Sequence, residues 1–234
     1  MPYLCSMKKI IMILLAVVSA VTTTAQDNVE VTLGADLVNR YIWRGQDIGH
    51  VSLQPTLGVE WKGLSLSAWG SVGISNPADD EEVDLTLAYS NSGFNIGITD
   101  YWFSQGRYFQ YKSGQTTHVW EANIGYDFGF LSVQWFTNFA GDDGLRNDKR
   151  AYSSYFELTA PFRLGGLDWT ATLGAVPFAT TYYDANEFCI TDISLRATKD
   201  FVIKQKYHLP VFGGLTVNPR SEKLYLLFGV SFCI

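Results

Sequence analysis

The sequence predicts an all-β fold, an antiparallel up-and-down transmembrane β-barrel of about twelve strands. Three observations predict it. Apolar and polar residues alternate along nearly all of the chain after residue 25. Turn signals recur at hairpin spacing. Short connections alternate with longer, more polar ones. Successive side chains of a strand point to opposite faces, so a wall between lipid and water carries a period of two. Composition agrees: 17% of the 234 residues are charged, 15% are aromatic and 21 are Gly. That is a profile of strands and tight turns, not of disorder.

Residues 1–25 read as a signal peptide. Lys8 and Lys9 precede an uncharged apolar run, Ile10 to Val21, and Thr23, Thr24 and Ala25 supply small residues before a cleavage site, with Gln26 the expected mature start. The run falls short of the roughly 20 apolar residues that a spanning helix needs. Its removal takes away two of the 17 basic residues and none of the 23 acids, moving the net charge from −6 to −8. No basic face is left for nucleic acid. The expected location is the bacterial outer membrane, with residues 26–234 forming one barrel domain.

Strands are expected near 29–44, 51–62, 64–75, 82–91, 94–104, 116–127, 130–140, 151–163, 167–176, 187–199, 206–217 and 223–234. The last shows the pattern well: Leu224, Leu226, Phe228, Val230, Phe232 and Ile234 share one face, while Tyr225, Leu227, Gly229, Ser231 and Cys233 share the other. The short connections include Lys62-Gly63, Asn91-Ser92-Gly93, Phe128-Gly129 and Leu164-Gly165-Gly166. The longer ones are 45–50, 76–81, 105–115, 141–150, 177–186 and 218–222. Outer-membrane barrels pair short periplasmic turns with longer outer loops. The connection at 200–205 fits that scheme least, being long for its side.

Aromatics gather near the expected strand ends. Tyr41, Trp43, Tyr101, Trp102, Phe103, Trp120, Tyr152 and Tyr155 are expected at the outer rim. Trp61, Tyr126, Phe128, Phe130 and Phe162 are expected at the periplasmic rim. The competing fold is a soluble β-sandwich or lipocalin-like barrel, which produces the same period with its apolar face turned inward. Cys189 and Cys233 fall two strands apart on opposite faces, which disfavours a disulfide.

Two stretches carry a family likeness. Leu37 to Gln46 holds Tyr41, Trp43, Arg44 and Gly45. Ser52 to Ser71 holds Pro55 and Gly58, then Trp69, Gly70 and Ser71. With Glu82 to Tyr89 following, this run resembles the opening of the Gcw-type conserved hypothetical family of proteobacterial outer-membrane proteins. The resemblance covers about residues 37–90. It implies export, a barrel and the membrane, and it implies no substrate.

Parity also assigns a lumen. An Arg or Lys on the lipid face at mid-membrane costs about 2–4 kcal/mol, so charged positions are expected inside. Arg40, Arg44, Glu60, Trp69, Glu82, Asp84 and Glu121 are the candidate pore-lining residues. Arg40 and Arg44 opposite Glu82 and Asp84 suggest a transverse field that orients polar solutes. The alternative is a network that plugs and stiffens a narrow barrel, with outer loops that bind envelope partners. The expected partners are outer-membrane lipid and a small polar solute.

No cofactor or metal motif is present. The acids Asp79, Asp80, Glu81 and Glu82, and Asp142, Asp143 and Asp148, lack calcium-loop spacing. Catalysis is not expected. The nearest arrangement to a membrane-embedded lipid hydrolase is His118 with Thr137 on the following strand.

Overall fold

The computed structural model describes residues 29–76, 78–204 and 207–233. The expected signal peptide lies outside the described residues. Sixteen strands are formed among them: β1 (Val29–Val38), β2 (Tyr41–Trp43), β3 (Gln46–Gly49), β4 (Ser52–Trp61), β5 (Leu64–Gly73), β6 (Glu82–Asn91), β7 (Phe94–Phe103), β8 (His118–Asp127), β9 (Ser132–Gly141), β10 (Leu145–Arg146), β11 (Lys149–Arg150), β12 (Ser154–Leu164), β13 (Leu167–Val176), β14 (Cys189–Ile203), β15 (Tyr207–Asn218) and β16 (Lys223–Cys233). Twelve of them close a barrel in the order β1-β16-β15-β14-β13-β12-β9-β8-β7-β6-β5-β4. Closure comes from β1, which pairs antiparallel with both β4 and β16. A closed ladder has no edge, so every wall strand finds partners on both sides.

Local chemistry sets the short turns. Lys62 and Ser92 adopt positive φ, 50° and 51°, ahead of Gly63 at 85° and Gly93 at 87°. Two such residues make the turn whose twist matches that of paired strands. Trp61 pairs Leu64 across the first and Asn91 pairs Phe94 across the second.

The outer surface decides between the two competing folds. Leu66, Leu87, Leu226 and Phe228 are all more than half exposed, whereas Asp84, Glu121 and Tyr225 are buried. The apolar stripe therefore looks outward and the polar stripe inward. A wall with this surface is stable in hydrocarbon, and the fold is a twelve-stranded transmembrane barrel.

Several expectations change in detail. The first strand does not run to residue 44: β1 ends at Val38, and β2 and β3 form a hairpin of their own. The connection at 200–205 is not long, because β14 continues to Ile203 and β15 begins at Tyr207. Tyr41, Trp43, Tyr101 and Tyr155 do not form an outer girdle. Tyr101 and Tyr155 are buried, and Tyr41 and Trp43 belong to the hairpin. Tyr152 is exposed as expected. Cys189 and Cys233 are free thiols. The buried apolar cluster is small and lies inside the barrel toward the loops: Tyr155, Val176, Tyr183 and Ala185, with Trp43, Phe136, Tyr182 and Cys189 packed on it.

Candidate functional site

The site begins with a two-residue turn. Trp43 pairs Gln46 across Arg44 and Gly45, whose φ values are 50° and 76°. Gly45 approaches the wall closely: a Cβ there would stand 1.8 Å from the Thr191 carbonyl oxygen of β14. The Asn218 side-chain amide donates to the Gly45 carbonyl at 2.9 Å. The hairpin is thereby seated against β14 and β15, with Arg44 turned into the barrel.

Arg44 has only 6% of its side chain exposed. Its two terminal nitrogens donate to the two carboxylate oxygens of Glu121, at 2.6 and 2.8 Å. One of them also donates to the Tyr183 hydroxyl at 2.5 Å. The Tyr101 hydroxyl donates to the same carboxylate at 2.9 Å. The rings of Phe136, Trp43 and Tyr155 lie 4.1, 4.5 and 4.6 Å from the guanidinium carbon. Bidentate pairing and ring faces are the two ways a protein accommodates a buried guanidinium. The result is a plug across the loop end of the lumen.

The loops reinforce that end. Thr181 on the 177–188 loop accepts from the Leu145 amide at 2.8 Å and donates its own amide to the Leu145 carbonyl at 3.2 Å. Asp79 accepts from the His50 amide at 2.8 Å and lies 2.9 Å from the His50 ring nitrogen, joining loop 74–81 to loop 39–51. The hydrogen bond with the His50 ring holds the Asp79 carboxyl below the usual carboxylate range.

Beyond the plug is a chamber of about 430 Å³ with both polar and apolar groups on its walls. Ile42 of the hairpin meets it at one end, and Glu157, Thr172, Asp192, Ser194, Arg196 and Thr216 are among its walls. Ser194 donates to Asp192 and lies 2.9 Å from the Thr216 hydroxyl. The Arg196 guanidinium sits 3.6 Å from the centre of the Phe212 ring.

The seven residues expected to line a pore do not act as one set. Arg44 and Glu121 meet in the plug. Trp69 faces inward against Tyr41, with ring centroids 5.4 Å apart. Arg40 pairs with Asp47 in the hairpin, and Glu60 is exposed beside Glu30 at the opposite mouth. The expected pairing of Arg40 and Arg44 with Glu82 and Asp84 is not formed. Arg44 turns to Glu121 because the hairpin carries it into the barrel. The two acids are buried at 5% and 9% exposure with no basic partner among the described residues. Sequence reading missed Tyr182 and Tyr183. The signal was there, as two adjacent tyrosines in a polar loop.

His118 and Thr137 are not brought together. His118 is 1% exposed on the outer side of the wall, with Nδ1 2.8 Å from Asp100 and Nε2 2.6 Å from the Tyr108 carbonyl. Tyr111 stacks over it at 4.5 Å, so loop 104–117 covers the ring. Thr137 lies opposite Ala122, four residues along β8, and engages Trp135 and Ser154. At the usual rise along a strand, four residues are about 13 Å.

No family model and no curated protein matches this chain. Among solved structures it is similar to a NanC porin, crystallised in a rhombohedral form, at 8% identity. That likeness covers 86% of this chain and 98% of the porin, with a TM-score of 0.44. It is also similar to the COG4313 outer membrane channel from Pseudomonas putida F1, at 11% identity over 88% of this chain and 92% of the channel, with a TM-score of 0.35. At these values the similarity carries no residue-level correspondence, and the roles of Arg44 and Glu121 rest on this chain's own geometry.

Proposed function

We propose that this chain is an exported outer-membrane barrel that passes small polar solutes, with its outer mouth closed by the Arg44 plug in the conformation described. The observation that carries the reading is the 430 Å³ chamber behind the plug, with hydroxyls, carboxylates and a guanidinium on its walls. Filled barrels pack side chains to the axis. A space of this size with polar groups on its walls supports a solute path. The resemblance of residues 37–90 to Gcw-type proteins supports the outer membrane as its place. A leader cleaved ahead of Gln26 would deliver it there, and N-terminal sequencing of the mature protein tests that.

Single-channel recording of the refolded full chain in a planar bilayer tests the transport reading. The wild type is expected to conduct weakly, and Arg44→Ala to show larger or more frequent openings. Silence in both, under every solute tried, removes it.

One observation favours a second reading, an occluded barrel that presents its loops to an envelope partner. Arg44 is satisfied on every side by Glu121, Tyr183 and three rings, which is how a permanent closure is built. That reading predicts silence in the recording even after Arg44→Ala. It also predicts that deleting 105–115 or 141–150 abolishes partner capture, and capture that survives both deletions counts against it.

A further inference from the structure

Beside the plug lies a second, smaller cavity of about 180 Å³, which shares Trp43 and Tyr101 with the Arg44 network but not Arg44 or Glu121 themselves. Its walls are mostly rings: Tyr41 and Trp43 from the hairpin, Tyr101 and Phe103 from β7, and Tyr182 from the 177–188 loop. Glu82, the first residue of β6, and Gln46 and Ile48 of the hairpin complete the wall. The rings hold one another in place. Trp43 lies edge-on to Tyr101 at 6.0 Å and to Tyr182 at 6.2 Å, and Tyr41 rests on Trp69 at 5.4 Å.

The acids are what make this a site. Glu82 is 5% exposed and its Oε2 has no hydrogen-bond partner. Asp84, two residues along the same face of β6, is 9% exposed, and its Oδ1 has none either. Both basic residues of the neighbourhood are committed elsewhere, Arg44 to Glu121 and Arg40 to Asp47. Two carboxyl groups side by side in a buried place, with open acceptor positions and no cation, are costly unless a partner arrives.

We propose that the cavity bounded by Tyr41, Trp43, Tyr101, Phe103, Tyr182 and Glu82 is a binding site for a small organic ammonium ion. Ring faces attract a cation and exclude water from it, and the open carboxylate oxygens accept its N–H donors. A metal ion fits less well. Among the described residues no group of three or more His, Cys, Asp or Glu is placed to hold one, and five of the eight wall residues are rings. The proposal does not depend on transport, because the cavity can be filled whether or not the barrel conducts.

Titration calorimetry on the refolded full chain in detergent, with propylammonium as the probe and 1-propanol and propionate as its neutral and anionic counterparts, tests it. Saturable binding is expected for propylammonium alone. Glu82→Gln keeps the shape and removes one charge, and is expected to weaken binding tenfold or more. The double change Glu82→Gln with Asp84→Asn is expected to abolish it, and Phe103→Leu to weaken it by removing a ring face while leaving Arg44 alone. Propylammonium binding no better than 1-propanol, or wild-type affinity in the doubly substituted and still-folded protein, overturns the assignment. Folding of each variant is read independently from the shift in gel mobility on heating.

Discussion

The guanidinium of Arg44 and the carboxylate of Glu121 lie 77 residues apart in the chain and meet through two hydrogen bonds of 2.6 and 2.8 Å. One comes from a hairpin that hangs inside the barrel, the other from a wall strand. Closing the mouth and fixing the wall are therefore the same interaction. Glu157 lies within electrostatic range of Arg44, but among the described residues neither Arg44 nor Glu121 makes a second salt bridge, so loss of either leaves the other without its direct partner.

Arg44→Ala is expected to destabilise the barrel by about 3–5 kcal/mol, the usual range when one member of a buried pair is removed. Glu121→Gln should cost less, because its amide oxygen still accepts from Arg44. Guanidinium-induced unfolding in micelles, followed by tryptophan fluorescence, measures both. Equal stability of Arg44→Ala and wild type would mean the pair is not formed.

Gly45→Ala should disturb the hairpin without touching the charges. The residue sits at φ 76° and has the Thr191 carbonyl 1.8 Å from where its Cβ would be. Left-handed backbone disfavours any side chain, and here the contact is with main chain, which cannot rotate away. The expected outcome is faster protease cleavage within 39–51, at a loss of about 1–3 kcal/mol. Cleavage at the wild-type rate would show that the turn is not held against β14.

Leu87→Arg and Thr86→Arg form a matched pair on β6. Leu87 is 51% exposed on the outer face, while Thr86 faces Thr99 inside, with hydroxyls 3.0 Å apart. On the lipid side the charge should cost about 2–4 kcal/mol. On the luminal side it meets polar surroundings and acids, and folding yield into lipid vesicles should fall less. The reverse order would place the apolar stripe away from hydrocarbon.

Acid should loosen loop 74–81. The His50 contact lowers the Asp79 carboxyl pKa from its ordinary 3.8. A group whose pKa is depressed on folding contributes stability that is present above the unfolded value and fades as pH falls through the folded one. Cleavage in 74–81 by an acid-stable protease should therefore rise as pH drops below about 4, and Asp79→Asn should flatten that rise. A pH-independent rate in the wild type would remove the tether.

The alternation of Leu224 to Phe232 was enough to separate the two faces of β16, because the two-residue period follows from peptide geometry and needs no tertiary context; which face looks outward was decided by the closed barrel. The Lys62-Gly63 and Ser92-Gly93 turns were legible for the same reason: positive φ is a local demand. The segment from Tyr41 to Gly49 was not. Its aromatics continue the pattern of β1, so it reads as more strand, and a ring near a strand end looks the same whether it meets headgroups or the lumen. Tyr101 and Tyr155 were misplaced on that ground.

The sequence by itself determined the twelve-strand count and the two faces of each wall strand, including the face that Glu82 and Asp84 share, since each is settled within a few residues of chain; that the apolar face looks outward and that Arg44 turns into the barrel were decided by the closed sheet and the β2–β3 hairpin. Which acid meets which base was decided only by tertiary structure. That choice depends on where closure of the sheet and the inward turn at Gly45 bring groups from β6, β8 and the 177–188 loop. No local period encodes such distances, and they are what leave Glu121 paired and Glu82 and Asp84 facing an aromatic cavity.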